Sequence, residues 1–187
     1  MKIRMMAYTA LFTALIAIGA YIRIPIPYVP LTLQLQFVNL AAILLGKKYG
    51  TAAVGAYIAV GLAGAPVFAG GGGIGYVTRP TFGYIIGFLA GAYLAGLVSS
   101  KKFTFRNLLT ASIINVAVIY AIGAAYFYFI TKYYEASPVS AGFLFLYCFA
   151  LTAPFDVAMC FVSARLSLRI LPYVRRRHIK GDSTSLS

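Results

Sequence analysis

The 187-residue chain is 61% hydrophobic and only 10% charged, whereas soluble domains are about half apolar and about one quarter charged. This composition excludes an ordinary soluble protein and indicates an integral membrane protein. The length suits about six helices of roughly 20 residues each. No segment alternates apolar and polar residues as a membrane-barrel strand does. The sequence therefore predicts an all-α integral membrane protein with six transmembrane helices.

The charge is strongly basic, with 16 Lys and Arg residues against three acids, which in a soluble protein would suggest nucleic acid as a partner. Three basic residues, Arg23, Arg79 and Lys132, stand apart from the others. The other thirteen fall at the N-terminus, in two short connections and in the C-terminal region: Lys2, Arg4, Lys47, Lys48, Lys101, Lys102, Arg106, Arg165, Arg169, Arg175, Arg176, Arg177 and Lys180. Because cytoplasmic segments are enriched in Lys and Arg, we expect both termini in the cytoplasm. Residues 1–172 then form one six-helix membrane domain in the cell membrane, and residues 173–187 form a basic, then polar, cytoplasmic tail.

The first predicted span runs from about Met6 to Ile22 and carries small residues at 3-4-3 spacing, which places them on one helix face. This alanine stripe consists of Ala7, Ala10, Ala14 and Ala17. Small side chains allow a second helix to approach closely in lipid. The second helix is either a neighbouring span or a partner protein, and the sequence leaves both readings open.

The second span is predicted from about Leu31 to Gly46, after an outer loop in which Pro25, Pro27 and Pro30 forbid a regular helix. Gln36 and Asn39 lie three residues apart, on one face of this span. Polar side chains in a membrane helix face the protein interior. They serve there as hydrogen-bond partners between helices or as ligand contacts, and the pattern favours neither.

The stretch from Pro66 to Phe88 contains four consecutive glycines and leads from the apolar span predicted over Tyr49–Ala63 into the start of the one predicted over Thr81–Val98. Such a run does not continue a helix cheaply. Irregular backbone next to a membrane span survives only where protein buries it or where it lines a polar cavity. We therefore interpret this segment, called here the glycine loop, as a binding loop. The following span has glycine at every fourth position, which structural packing explains fully.

The last two spans are predicted over Asn107–Ile130, with one interior amide at Asn115, and over Pro154–Leu171. A short outer helix or re-entrant piece over residues 140–152 precedes the last span. Proline fits a first helical turn, so Asp156 lies in that turn, at the positive end of the helix dipole.

Asp156 is the single embedded acid, because the other two fall in a loop and in the polar tail. An intramembrane carboxylate is expensive unless it is paired, so it marks a functional site or a structural ion pair, here with Arg79. The only histidine, His178, lies in the basic tail, and the chain has no metal-binding or phosphate-loop motif. This inventory predicts a binding protein or a transporter rather than an enzyme, with no cofactor and no metal in this chain.

Three motifs together make the chain resemble a known family: VPLTLQ after the first span, PVFAGG in the glycine loop, and PTFGY-x-x-GF at the start of the fourth span. The chain resembles the BioY family over essentially its whole length. Its members are the biotin-specific substrate-binding (S) components of energy-coupling factor (ECF) transporters. The resemblance implies six membrane helices, with the ligand held near the outer face. It also implies two kinds of partner, a transmembrane coupling subunit and a pair of cytoplasmic ATPases that use ATP.

On this resemblance biotin is the expected ligand. Polar contacts are expected from Asp156, Gln36 and Asn115, apolar walls from Phe68, Tyr84 and Val67, and free N–H donors from Gly70 and Gly71. Many family members carry Asp-x-x-Lys at the start of the last helix, where this chain has Met159, and Arg79 then supplies the missing positive charge. The alanine stripe is expected to dock the coupling subunit. The alternatives are an S component for another small vitamin and a membrane protein without a transport function.

Overall fold

The computed structural model describes residues 2–24, 30–134, 142, 150 and 152–174. The elements in chain order are α1 (Lys2–Tyr21), β1 (Arg23–Ile24), β2 (Leu31–Thr32), α2 (Gln34–Leu62), a 3₁₀ helix (Ile74–Thr78), α3 (Phe82–Ser99), α4 (Phe105–Tyr133) and α5 (Ala153–Val174). Within these described ranges, four helices are long and apolar enough to cross a membrane, namely α1, α3, α4 and α5. The all-helical prediction is thus confirmed, apart from one antiparallel pair of two-residue strands.

Helix α2 is a hairpin rather than one straight rod. Its backbone is non-helical at Gly46, where φ is 74°, a left-handed conformation that glycine adopts at little cost. The chain then doubles back. The close approach of its two halves shows this, since a Cβ on Gly50 would lie 2.7 Å from the carbonyl oxygen of Ala41. Gln34 and Tyr57 are joined by a hydrogen bond of 2.7 Å, although a straight helix would separate them by about 35 Å. The two predicted spans over 31–46 and 49–63 correspond to the two halves of this hairpin.

Glycines in α3 allow it to pack closely on α4. A Cβ on Gly83 would lie 2.2 Å from Tyr126, one on Gly87 would lie 2.8 Å from Ile119, and one on Gly91 would lie 2.3 Å from Asn115 Oδ1. Close backbone approach of this kind lets van der Waals packing stabilise helix pairs in lipid. The predicted packing face of the fourth span is therefore confirmed.

Several basic residues gather at one end of the molecule, called here the basic end. Arg4 in α1 donates to the carbonyl of Tyr173 at the end of α5. Gly96, near the end of α3, lies against Lys47 in the turn of α2. Arg165 of α5 stacks on Phe105 at the start of α4, 5.6 Å from its ring centroid. The starts of α2, α3 and α5 consequently meet at the opposite end, where the outer surface was expected.

Several predicted features lie outside the described residues. These are the loop prolines Pro25 and Pro27, most of the outer piece over residues 140–152, and the tail beyond residue 174. The predicted ends of the other four spans agree with α1, α3, α4 and α5 to within a few residues.

Candidate functional site

A cleft opens at the end opposite the basic end and, counted with its open mouth, contains about 650 Å³. Small-molecule sites are largely apolar with a few convergent polar groups, and this cleft has that composition. The residues that line it come from the β2 end of the first loop, from the glycine loop, and from helices α2 to α5 and the residues just before them: Pro30, Leu31, Thr32, Gln34, Leu35, Ala69, Tyr76, Thr81, Tyr84, Ile85, Phe88, Ile119, Tyr120, Thr152 and Asp156.

Asp156 lies in the first turn of α5 and is only 6% exposed. The hydroxyl of Tyr120 donates to its Oδ2 at 2.5 Å and lies 2.7 Å from the hydroxyl of Thr152. No ion pair joins Asp156 to Arg79 within the described ranges, so the structural-pair reading finds no support in this structure. The carboxylate therefore stands in the cleft wall with one oxygen, Oδ1, that accepts no hydrogen bond from the described part of the chain. A carboxylate buried to this extent is costly unless donors reach it.

Gln34 is the second buried polar group of the cleft, 3% exposed at the first position of α2. Its Nε2 donates to the hydroxyl of Tyr57 at 2.7 Å, and that hydroxyl donates to the carbonyl of Val67 at 3.2 Å. Gln34 is also the last residue of the VPLTLQ motif. Gln34 and Asp156 thus line the same cleft from different helices, α2 and α5.

The glycine loop folds tightly onto the end of α2. Phe68 and Gly71 exchange backbone hydrogen bonds of 2.9 and 3.1 Å, and Gly73 N–H donates to the carbonyl of Gly61 at 2.7 Å. A Cβ on Gly72 would lie 2.0 Å from the carbonyl oxygen of Ala65. The predicted free N–H of Gly71 is therefore wrong, because that donor is used to close the turn. The glycines serve the fold of the loop, and Ala69 is the loop residue next to them that lines the cleft.

Two arginines flank the cleft on the loop side. Arg79 lies beside Gly70, its Nη1 3.0 Å from where a Cβ would be, and stacks on the cleft residue Tyr76 at 5.5 Å from the ring centroid. Arg23 of β1 donates to the carbonyl of Ala69. Both guanidinium groups thus contact residues of the cleft wall without being inside it.

Phe68 is placed behind the cleft wall rather than in it. It is fully enclosed by aromatic rings, with centroids 5.4 Å from Tyr57, 4.7 Å from Tyr76 and 6.5 Å from Phe82. The predicted wall role of Tyr84 fits, since its side chain lines the cleft. Val67, also expected in the wall, lines a separate groove described below.

Gln36 and Asn115 belong to an interior hydrogen-bond chain and do not line the cleft. Asn115 Nδ2 donates to Asn39 Oδ1 at 3.2 Å, and Asn39 Nδ2 donates to the hydroxyl of Ser163 at 3.2 Å. That hydroxyl in turn donates to Gln36 Oε1 at 2.8 Å. The chain cross-links α2, α4 and α5 inside the membrane domain. Of the two readings left open by the sequence, the structure supports hydrogen bonding between helices.

Sequence reasoning missed Gln34, Tyr120 and Thr152 as cleft residues. Gln34 is signalled by its place directly after the proline-rich loop, where a helix starts, while Gln36 lies half a turn deeper and points elsewhere. Tyr120 has no local signal, but a buried carboxylate in lipid requires a donor. That donor is the hydroxyl of Tyr120 on the facing helix α4.

The alanine stripe lines an apolar groove between α1 and the second half of α2. Ala10, Ala14 and Ala17 face Ala52 and Ala56 across it, and Ala7 continues the stripe as an exposed residue. Ala7, Ala10 and Ala14 are exposed, so no helix among the described residues covers them. Ala17 is half-buried and packs against the core, so internal packing accounts for Ala17 but, within the described ranges, not for the other three.

Comparison with known proteins gives one consistent result. The family model described as the BioY family matches residues 1–176. The probable biotin transporter BioY of Lysinibacillus sphaericus is 40% identical over 168 residues, which cover 89% of this chain and 86% of that protein. The biotin transporter BioY of Thermotoga maritima is 40% identical over 172 residues, 89% of this chain and 95% of that protein.

A solved structure agrees with the sequence matches. The crystal structure of the S-component for biotin from an ECF-type ABC transporter superposes with a TM-score of 0.74 at 28% identity. The match covers 90% of this chain and 91% of that one. The chain therefore belongs to the BioY family.

Proposed function

We propose that this protein is the substrate-binding subunit of an ECF-type importer in the cell membrane and that its substrate is biotin. The observation that carries the proposal is the cleft opposite the basic end. It presents a buried carboxylate, Asp156, and a buried amide, Gln34, in a mostly apolar and aromatic surface. The protein is a transporter subunit and not an enzyme.

The chemistry of biotin matches this surface. Its ureido ring offers two N–H donors, and the cleft offers two acceptors, the free carboxylate oxygen of Asp156 and the amide oxygen of Gln34. Its apolar thiophane ring and chain suit the walls formed by Ile85, Phe88 and Ile119. Apolar burial then supplies most of the affinity, while the polar pairs fix the orientation.

The carboxylate of the biotin tail needs a cation, and Met159 stands where the resemblance to the family implies a lysine. Met159 does not line the cleft in this structure. Arg79 stacks on the cleft residue Tyr76 and is exposed at the loop side. We assign Arg79 to the biotin carboxylate, since guanidinium groups bind carboxylates in a bidentate manner. Gly70 lies next to this group, which leaves room for the arginine to turn toward the cleft.

The proposed topology has six membrane-crossing segments, which are the four long helices and the two halves of the α2 hairpin. Both termini and the basic end face the cytoplasm, so the cleft opens outward. The gathering of Arg4, Lys47 and Arg165 at one end supports this orientation.

Energy for transport comes from other subunits. We propose that the groove containing the alanine stripe docks a helical coupling subunit, which works with a pair of cytoplasmic ATPases. Small side chains on both walls of this groove, Ala14 on α1 and Ala52 on α2 among them, let a partner helix approach the backbone closely.

Isothermal titration calorimetry of the purified protein tests the proposed substrate. We expect saturable one-to-one binding of biotin and no heat with thiamine or riboflavin. Tight binding of another vitamin with no response to biotin would contradict the assignment of biotin but leave an S-component role. No binding of any vitamin would contradict the proposed function as a whole.

A further inference from the structure

The amide of Gln34 is held in one orientation by its hydrogen-bond partner. Gln34 Nε2 lies 2.7 Å from the hydroxyl of Tyr57, and the same hydroxyl lies 3.2 Å from the carbonyl oxygen of Val67. A carbonyl oxygen only accepts hydrogen bonds, so the single hydroxyl proton of Tyr57 is directed to Val67. The hydroxyl oxygen can then only accept from Gln34, which requires the NH₂ side of the amide to face it.

This arrangement fixes the opposite side of the amide as well. With Nε2 turned to Tyr57, Oε1 points away from it. Gln34 lines the cleft, and its Oε1 accepts no hydrogen bond from the residues that the structure describes. With Nε2 held at Tyr57, the oxygen side of the amide is therefore the side left for the cleft.

Tyr57 itself has little freedom to move. It is completely buried, and the ring of Phe68 packs edge-on against it at 5.4 Å and 75°. The carbonyl of Val67 belongs to a turn that is closed by the hydrogen bond from Val67 N–H to the carbonyl of Ala65 at 2.8 Å. The ring of Tyr57 and the carbonyl of Val67 are thus both held by the fold before any ligand binds.

We propose that Tyr57 is a positioning residue that sets the selectivity of the cleft for ligands with two N–H donors. By orienting Gln34, it makes the second polar group of the cleft an acceptor like Asp156. A cleft with two acceptors suits a ureido ring and disfavours rings in which one N–H is replaced by an acceptor. This inference rests on the proposed function and adds a residue that does not itself contact the ligand.

Tyr57→Phe tests the proposal, because it keeps the ring and removes only the hydroxyl. The amide of Gln34 then becomes free to turn over. We expect the Kd for biotin to rise about ten-fold, the value of one ordinary hydrogen bond. Binding of two cyclic carbamate analogues of biotin, each with one ring N–H replaced by oxygen, supplies the selectivity readout. We expect the wild type to discriminate strongly against both analogues, and Tyr57→Phe to lose most of the discrimination against the one whose ring oxygen faces Gln34.

Two further variants show whether the effect passes through Gln34. Tyr126→Phe is the matched control, since the hydroxyl of Tyr126 also donates to a backbone carbonyl, that of Val77 at 2.6 Å, away from the cleft. It should leave both the biotin Kd and the discrimination unchanged. In the background of Gln34→Ala, Tyr57→Phe should cause no additional loss.

The outcomes separate the two proposals. Additive losses of affinity in the double variant, or unchanged discrimination in Tyr57→Phe, would overturn the positioning role of Tyr57. Biotin binding by the wild type would still support the proposed function in that case. A wild-type protein that bound no biotin would contradict both. Melting temperatures of the Tyr57→Phe and Tyr126→Phe proteins should agree within a few degrees. A large loss of stability confined to Tyr57→Phe, with discrimination intact in the fraction that folds, would assign Tyr57 to packing.

Discussion

Replacing Asp156 with asparagine removes the negative charge of the cleft and changes the carboxylate oxygen that faces the ligand. The side chain keeps its shape and still accepts from Tyr120, which donates to Oδ2 at 2.5 Å. The oxygen that faces the ligand becomes an NH₂ group, however. Two donors, this amide and the ureido N–H, then face each other. In the wild type the same ureido N–H faces a charged acceptor.

The size of the effect follows from the burial of the site. Asp156 is 6% exposed, so water is poorly placed to replace the lost contact. A hydrogen bond to a charged group contributes about 1.5–3 kcal/mol, and a ten-fold change in Kd corresponds to about 1.4 kcal/mol. We therefore expect the Kd for biotin to rise about ten- to one-hundred-fold.

The ligand-free protein should respond in the opposite direction. Burying a neutral amide costs less than burying a carboxylate that has no cation beside it. Asp156→Asn should thus melt at the same temperature as the wild type or higher. Weaker biotin binding by an equally stable protein would show that Asp156 serves ligand binding rather than folding.

Calorimetric titration with biotin and thermal unfolding in the same detergent provide the assay. Asp182→Asn is the matched control, because it makes the same change in the C-terminal tail, outside the described residues, and should alter neither quantity. Unchanged biotin affinity in Asp156→Asn would refute the assignment of Asp156 to the ligand. A fall in melting temperature with unchanged affinity would make it a structural residue.

Three further predictions address docking, packing and topology. Ala14→Trp should abolish biotin uptake and assembly with the coupling subunit while biotin binding by the isolated protein persists, because the indole fills a groove that shares no lining residue with the cleft. Loss of biotin binding as well would indicate internal packing. Gly91→Ala should destabilise the protein by about 1–3 kcal/mol, since the new Cβ would lie 2.3 Å from a side-chain oxygen of α4. The control Gly55→Ala should not lower the melting temperature, because its new Cβ has its nearest contact at 3.8 Å. In a background without the native cysteines, Thr78→Cys should react with a membrane-impermeant thiol reagent in intact cells and Lys102→Cys should not; the reverse pattern would invert the topology.

The helices could be predicted from the sequence because membrane spans leave two strong signals, apolar length and basic flanks. The positions of spans over 31–46 and 49–63 followed from the Lys47–Lys48 pair between them, and the structure places a hairpin turn at Gly46. The asymmetry of basic residues likewise indicated which helix ends lie together. These signals are local in sequence, so a single chain suffices to read them.

The cleft was only partly predictable, because its geometry depends on contacts between distant segments. Asp156 could be found as the embedded acid, but the choice of Gln36 over Gln34 required knowing the rotation of α2 about its axis. The role of the glycine loop also depended on tertiary contacts. Gly71 appeared as a free donor in the sequence, and only the pairing with Phe68 shows that its N–H is used.

A structure of the protein with biotin bound tests the central claim most directly. We predict the ureido ring between Asp156 and Gln34, with one N–H directed to each acceptor, and the tail carboxylate turned toward Arg79. Biotin in the groove of the alanine stripe, or in the cleft with its ureido ring away from Asp156 and Gln34, would contradict the account.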